Sequence, residues 1–286
     1  MPESADDPTD GPALSPENVL TVDDDRYTTD SVALVTGAAS GIGRATALAL
    51  AENGLTVAAT DVDETGLEET ASTAADWDAP GEVEVIPGDL TDDEDLREIV
   101  DAAADLGDLR FLANVAGLQH VAPIEEFPEE QYDLMQSVML RAPTLLAKYA
   151  FPHIRESGGG AVGNMSSIHG HYTTSDKVAY NVCKFGIRGL TQSLAAEGDG
   201  DVRAFSVSTG YVATPLVTGQ IPDTAEQRGI TEREVVEDVM LGQSRVKEMM
   251  TPVEVANLFC FGFSNHARHL NGGDLLFDGG VTTTYE

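Results

Sequence analysis

The sequence predicts a single α/β domain organised around a doubly wound parallel sheet of seven strands. Three observations carry that prediction. From residue 31 onward, short apolar runs alternate with helix-period runs, the rhythm of repeated βαβ units. A glycine-rich turn, Thr36-Gly37-Ala38-Ala39-Ser40-Gly41-Ile42-Gly43, joins the first apolar run to the first helical one. The chain has 286 residues and is 42% apolar, a length and composition that one core can serve.

Taken in order, residues 1–29 are rich in Asp, Pro, Ser and Thr. They offer little apolar surface to offset ordering, so a mobile acidic tail is expected there. The domain is expected to fill 30–286, with strands at 32–36, 55–61, 83–87, 109–113, 160–165, 202–207 and 274–277. Asp278-Gly279-Gly280 ends the last strand in a turn. Residues 215–248 break the rhythm with a charged helical insertion, and no internal repeat is visible beyond the βαβ alternation.

Strand, glycine turn and helix in that order make a Rossmann-like start, the place where a dinucleotide pyrophosphate docks. Gly37 allows the tight turn, Gly41 lets the backbone approach the phosphates, and Gly43 lets the helix pack closely on the strand. Ser40 and Ile42 lie between them, and the N–H groups of the first helical turn face the anion. Asp61 closes the second apolar run, 24 residues after Gly37, near the spacing of roughly 20 for an acid that accepts from ribose hydroxyls. A carboxylate there repels a 2′-phosphate and Ser40 adds no positive charge, so NAD is favoured over NADP. The plainer reading of Asp61 is a solvated acid at a strand end.

A second cluster supplies acid–base chemistry. Tyr180 and Lys184 stand four apart in Tyr180-Asn181-Val182-Cys183-Lys184, so on a helix the ammonium reaches the phenol side. An alcohol that gives up hydride also gives up a proton, and an ordinary Tyr, with a pKa of about 10, is a poor base near neutrality. A neighbouring cation favours phenolate by roughly 1–3 pKa units. Ser167, thirteen residues before Tyr180, would hydrogen-bond the reacting oxygen. Alone, a Tyr–Lys pair at this spacing is a helix-surface contact; the serine and the glycine turn give it a chemical reading. Lys177 adds a second ammonium on the same face, where a hydroxy acid needs a local donor for its carboxylate. Its plainer reading is a solvated helix-start residue.

From about Ser31 to the C-terminus these features resemble the short-chain dehydrogenases, and more narrowly the bacterial D-3-hydroxybutyrate dehydrogenases. The general likeness rests on the glycine turn, Asp89 and Leu90, Asn114-Val115-Ala116-Gly117, Ser167, Tyr180 to Lys184, and Gly210 to Pro215. The narrower likeness rests on Asn114 to Glu125, on Ser167-Ile168-His169-Gly170, and on Thr214-Pro215-Leu216-Val217 with Gln220. The resemblance implies that Asp89, Leu90, Asn114, Ala116, Gly117, Gly210, Val212 and Thr214 join the glycine turn, Asp61, Tyr180 and Lys184 at the cofactor. Thr214 would hold the nicotinamide carboxamide. It further implies that Gln119, His169, Lys177 and Gln220 surround a substrate carboxylate, and that Tyr211 takes the place of a Trp packed on the substrate's methyl end. Residues 215–248 become a mobile lid, and a homotetramer packs through helices at 129–150 and 178–197.

Three positions depart from the pattern. Met139 falls where an Asn ordinarily organises a water leading to the catalytic lysine, and a thioether does not replace an amide. The backbone carbonyl alone, or Gln136 one turn earlier, could support that water; otherwise the relay is weakened. Phe205 replaces a frequent Asn, and Thr209 a frequent Pro.

Charge is the exceptional property: 49 acids against 16 bases, formally −33. Such a field repels nucleic acid and anionic membrane, so neither is an expected partner. With four lysines, at 148, 177, 184 and 247, the surface reads as adapted to molar salt, where the screening length falls to roughly 3 Å. Cys183 and Cys260 are too few for a disulfide framework and fit a reducing compartment, Cys183 as a packing residue. The sequence offers neither a signal-peptide pattern nor the roughly 20 apolar residues of a membrane span. A cytoplasmic protein is expected, and no metal.

The function expected is that of an NAD-dependent (R)-3-hydroxybutyrate dehydrogenase, acting on a small hydroxy or keto acid. Two alternatives stay open. One is a short-chain dehydrogenase for another hydroxy acid, a polyol or a sugar; the other is a non-catalytic NAD-binding scaffold or sensor.

Overall fold

The computed structural model describes residues 11–284. Strands β1 (Ser31–Thr36), β2 (Thr56–Thr60), β3 (Val83–Val85), β4 (Asp108–Asn114), β5 (Gly160–Met165), β6 (Val202–Thr209) and β7 (Asp274–Phe277) form one sheet. Its order is β3-β2-β1-β4-β5-β6-β7, and every pairing is parallel. All seven expected strands are present, their ends shifted by no more than two residues. The helices are α1 (Gly41–Glu52), α2 (Glu64–Asp76), α3 (Asp93–Asp105), α4 (Glu129–Gln136), α5 (Ala142–Glu156), α6 (Val178–Glu197), α7 (Pro215–Thr218), α8 (Ile221–Arg228), α9 (Glu232–Glu234) and α10 (Pro252–Phe263).

β1, β2, β5 and β6 are buried along their whole lengths, because helices cover both faces of a parallel sheet. On one face Ala33 and Val35 pack with Leu48, Val255 and Phe259 of α1 and α10. On the other, Val32 and Leu34 pack with Leu96, Ile99 and Leu146 of α3 and α5. The acids have defined work at helix starts. Asp92 caps α3 by accepting from the Glu94 and Asp95 N–H groups, and first-turn acids complement the positive end of the helix dipole.

The tail expected at 1–29 needs correcting over 11–29. Val19 is buried, and Leu14, Val22 and Tyr27 pack on the core. The Leu20 N–H donates to Asn257 at 2.7 Å and the Val22 N–H to Asn53 at 2.8 Å. The Tyr27 hydroxyl donates to the Cys260 carbonyl, and Arg26 to the Phe263 carbonyl at 2.8 Å. Composition misses this strap because a few spaced apolar side chains suffice once its backbone is hydrogen-bonded to α1 and α10. Residues 1–10 lie outside the described residues.

Phe205 has a structural account. Its ring lies between two glycines: a Cβ at Gly262 would meet it at 2.4 Å, and one at Gly163 at 2.8 Å. It stacks on Phe259 and Phe263 with centroids 6.1 and 5.3 Å away. The larger side chain is therefore accommodated rather than strained. Thr209 ends β6 in register with Phe277. Between α4 and α5 the chain makes a π-helical turn, Ser137–Arg141. The insertion at 215–248 is helical as expected, with a small core of its own that includes Ile221, Val235 and Met240.

Candidate active site

Strand order reverses between β1 and β4, and in such sheets ligands bind outside the carboxyl ends at that switch point. A cleft of ≈ 610 Å³ opens there. Gly37, Ser40, Gly41, Ile42, Gly43, Asp61, Asp89, Leu90, Ala116, Gly117, Ser167, Tyr180, Lys184, Gly210, Val212 and Thr214 all line it. Asn114 is the one member of the expected cofactor set that does not. Its amide donates to Asn164 at 2.8 Å, and Asn164 donates to Thr191 at 2.9 Å, which ties β4 and β5 to α6. Val62, Val138, Met165 and Pro215 also line the cleft and were not anticipated. For Val62 and Met165 the signal was their place at a strand's carboxyl end.

The glycine turn is sterically obligatory. Gly37 and Gly41 have φ of 71° and 53°, a region costly for side chains with a Cβ. A Cβ on Gly43 would lie 2.0 Å from the Gly37 carbonyl oxygen, and one on Gly37 2.8 Å from the Ala116 Cα. The cradle is thus open only because the side chains are missing, which fits a pyrophosphate resting on the start of α1. Gly43→Ala is expected to push α1 off β1, lower Tm by several degrees and weaken binding of a nicotinamide cofactor at least tenfold. Thermal melting and a fluorescence titration would check it; wild-type values in both would remove the turn from the binding site. Asp61 accepts from the Ala39 N–H at 3.3 Å and the Asp63 N–H at 3.2 Å. Each carboxylate oxygen keeps a further lone pair for a ribose hydroxyl.

Ser167 caps a 3-10 turn, Ile168–Gly170, by accepting from the His169 N–H, and its hydroxyl lies beside the Tyr180 phenol, whose pKa it lowers. Lys184 is buried at 4% exposure, pushed down to about 8 by that burial. Its Nζ donates to the Met165 carbonyl at 2.9 Å and stands 5.3 Å from the centre of the Tyr180 ring. In the protein alone, burial outweighs the support that Lys184 is expected to give a phenolate. Burial pushes the Tyr180 phenol up to about 12, against the opposing Ser167 hydrogen bond. The ammonium faces the ring and a carbonyl, so desolvation wins.

Of the five expected substrate residues, His169 and Tyr211 lie near Tyr180, Gln119 and Gln220 meet each other, and none of the five is among the residues lining the cleft. His169 stacks edge-on to Tyr180 with centroids 5.6 Å apart and meets Thr174 at 3.1 Å. Burial, then the Lys177 and Lys184 ammonium groups, push His169 down to about 4, so it is neutral at pH 7. Tyr211 packs against the small core of the 215–248 insertion and lies near Tyr180. Gln119 donates to Gln220 at 3.4 Å, linking the loop after β4 to the 215–248 insertion. Met139 is buried with Met135, Ala179 and Cys183. Gln136 does not take the place of the missing Asn amide: its Nε2 donates to Cys183 Sγ at 3.2 Å. Cys183 is buried packing, as expected.

A dinucleotide-shaped cleft that ends at a Ser–Tyr–Lys group is the layout of a nicotinamide-dependent oxidoreductase. Residues 37–282 match the family profile described as enoyl-(acyl carrier protein) reductase. The D-beta-hydroxybutyrate dehydrogenase of Rhizobium meliloti is 36% identical over 257 residues, covering 87% of this chain and 98% of that one. The D-threitol dehydrogenase of Mycolicibacterium smegmatis is 34% identical, covering 92% and 97%. The solved L-sorbose reductase of Gluconobacter frateurii, complexed with NADPH and L-sorbose, is 25% identical with a TM-score of 0.85, covering 91% of this chain and 100% of that one. The chain belongs to the short-chain dehydrogenase family.

Proposed function

We propose that this oxidoreductase interconverts a 3-hydroxy acid and its 3-keto acid with NAD, the preferred pair being (R)-3-hydroxybutyrate and acetoacetate. The observation that carries the reading is Lys177. Its side chain is half-buried and its pKa is lowered by burial; it makes no ion pair among the described residues, and the adjacent Asp176 accepts from the Ser175 hydroxyl instead. A desolvated cation left unpaired in a protein with a net charge of −33 is favoured when the ligand brings the anion. Neutral His169 then acts as a hydrogen-bond partner rather than a second charge, and Gln119 and Gln220 add amide donors. NAD is favoured because Asp61 stands at the end of β2 and Lys184 is the only Lys or Arg among the residues lining the cleft.

When bound, the nicotinamide supplies the hydride acceptor or donor and, oxidised, a positive charge. Ser167 orients the reacting oxygen, Tyr180 exchanges its proton with that oxygen, and Lys184 supports the charge on Tyr180. The first test is NADH formation at molar salt on both enantiomers of 3-hydroxybutyrate, longer 3-hydroxy acids, polyols, sugars and simple alcohols. Lys177→Ala is expected to lower kcat/KM for the acid by roughly 10- to 100-fold, the scale of a hydrogen bond to a charged group, and to leave neutral alcohols nearly unaffected. Equal losses on acids and neutral alcohols would discard the carboxylate clamp.

A polyol or sugar substrate is the second reading, favoured by the likeness to the threitol and sorbose enzymes. NAD binding without turnover would move the scaffold reading forward. A tetramer is supported by apolar Val182 and Phe185, 43% and 44% exposed on α6, and by Tyr132 and Leu134, each 37% exposed on α4. Free, buried Cys183 and Cys260 suit a reducing cytoplasm. No described helix is long and apolar enough to cross a membrane. Among the described residues, no group of three His, Cys, Asp or Glu could hold a metal ion.

A further inference from the structure

One largely buried polar cluster is used by none of the steps above. Asp274 opens β7, and its side chain is 13% exposed. Its Oδ1 accepts from the hydroxyls of Ser206 at 2.5 Å and Ser208 at 2.9 Å, both on β6. Its Oδ2 lies 2.9 Å from Nε2 of His171, whose side chain is 19% exposed. An ionised carboxylate only accepts, so Nε2 carries the proton. Among the described residues this is the one histidine held against a carboxylate at hydrogen-bond distance.

His171 directly follows the 3-10 turn that begins at Ser167 and contains His169. Its own N–H closes that turn on the Ile168 carbonyl at 2.8 Å. β6, at the other end of the cluster, runs on through Gly210 and Val212 to Thr214, which line the cleft. One carboxylate therefore joins the segment bearing Ser167 and His169 to the strand that shapes the opposite wall. Holding β6 to β7 does not require it, since four register pairs already do so. A buried ionic cluster adds little net stability compared with apolar packing. What it adds is direction, because hydrogen bonds restrict both distance and angle.

We infer that His171 and Asp274 are positioning residues, which set the height of Ser167 and His169 over the cleft. The inference rests on the proposed role of Ser167 as the residue that orients the reacting oxygen. A misplacement of about 1 Å at such a group can cost on the order of 10²-fold in rate. The effect falls on kcat, because the glycine turn that would hold the pyrophosphate lies on β1 and α1, away from the cluster, and the β6 end of the cleft keeps its pairing with β5 and β7.

The test uses the full chain at molar salt with His171→Ala, Asp274→Ala and Asp274→Asn. Steady-state kinetics are paired with hydrogen exchange read by mass spectrometry. His171→Ala is expected to lower kcat by roughly 10- to 100-fold while the KM for NAD stays nearly unchanged. The amides of His171 and Tyr172 should exchange at least tenfold faster with β5 and β6 still protected. Asp274→Asn, which keeps an acceptor for the serines, should recover most of the kcat lost in Asp274→Ala. A kcat for His171→Ala within twofold of wild type overturns the inference, as does protection lost evenly across the sheet. Should the wild-type chain turn over no alcohol at all, the proposed reaction fails. The exchange data then still decide the anchor: unchanged protection at 167–172 rejects it, and selective loss upholds it.

Discussion

Tyr180→Phe is expected to lower kcat by roughly 10³-fold, within the range of about 10²–10⁴ that a positioned acid–base group contributes. Affinity for the nicotinamide cofactor and Tm should stay close to wild type. The reason is local. The ring keeps its edge contact with His169 and its packing near Leu118 and Met139, and only the hydroxyl beside Ser167 is lost. The same group sets a pH signature. With the phenol pushed up to about 12 by burial, Tyr180 is protonated throughout the neutral range and is ready to donate. Ketone reduction therefore runs well at and below neutrality, then falls as pH rises through about 8, where Lys184 loses its charge. Alcohol oxidation needs the phenolate, so its rate climbs with pH. Initial rates in both directions across the neutral to alkaline range would check the pair of slopes. A Tyr180→Phe variant that keeps more than a tenth of wild-type turnover would remove Tyr180 from the chemistry.

Transfer from molar potassium chloride to dilute buffer is expected to abolish activity and unfold much of the chain. The acids are dense on the helices: Glu64, Glu68 and Glu69 on α2, and Asp93, Glu94, Glu98 and Asp101 on α3, are all exposed. Glu64 and Glu68 face each other at i,i+4, as do Glu94 and Glu98, an arrangement that destabilises a helix. Ion pairs such as Arg44–Glu69, Arg110–Asp108 and Arg233–Glu237 use few of the 49 acids. Two like charges about 10 Å apart in water repel by about 0.4 kcal/mol. Tens of such neighbours sum to roughly 10 kcal/mol, comparable with the 5–15 kcal/mol that holds a domain together. At about 1 M salt the screening length is near 3 Å and that repulsion is largely removed, whereas at about 0.01 M it extends to 30 Å. Circular dichroism and thermal melting across a salt series would show it. A fall in Tm of roughly 10–20 °C corresponds to a loss of about 5 kcal/mol for a domain of this size. A Tm independent of salt would refute the adaptation.

Much of this protein could be read in the sequence because it rests on local rules. Alternating periods specify the strands, and right-handed βαβ crossovers restrict how they can be arranged, while the order itself came from the structure. Gly37, Gly41 and Gly43 are required by turn geometry, and the four-residue spacing of Tyr180 and Lys184 puts both on one helical face. Other features depend on contacts between residues far apart in the chain. The strap at 11–29 is held by Asn53 and Asn257, and Phe205 is admitted by two glycines from elsewhere in the chain. Gln136 turns to Cys183, which no periodicity announces. The same limit applies to proton chemistry. Spacing places the Lys184 ammonium near Tyr180, but the shift of each group depends on how much water its neighbours exclude and which carbonyl the ammonium meets. The sequence by itself determined the sheet, the glycine turn and the placing of Tyr180 and Lys184 on one helical face, since backbone sterics and short-range spacing suffice for these. Only the tertiary structure decided their protonation, the fate of the N-terminal segment and the Asp274 cluster, because desolvation and long-range hydrogen bonds exist only once distant segments have packed.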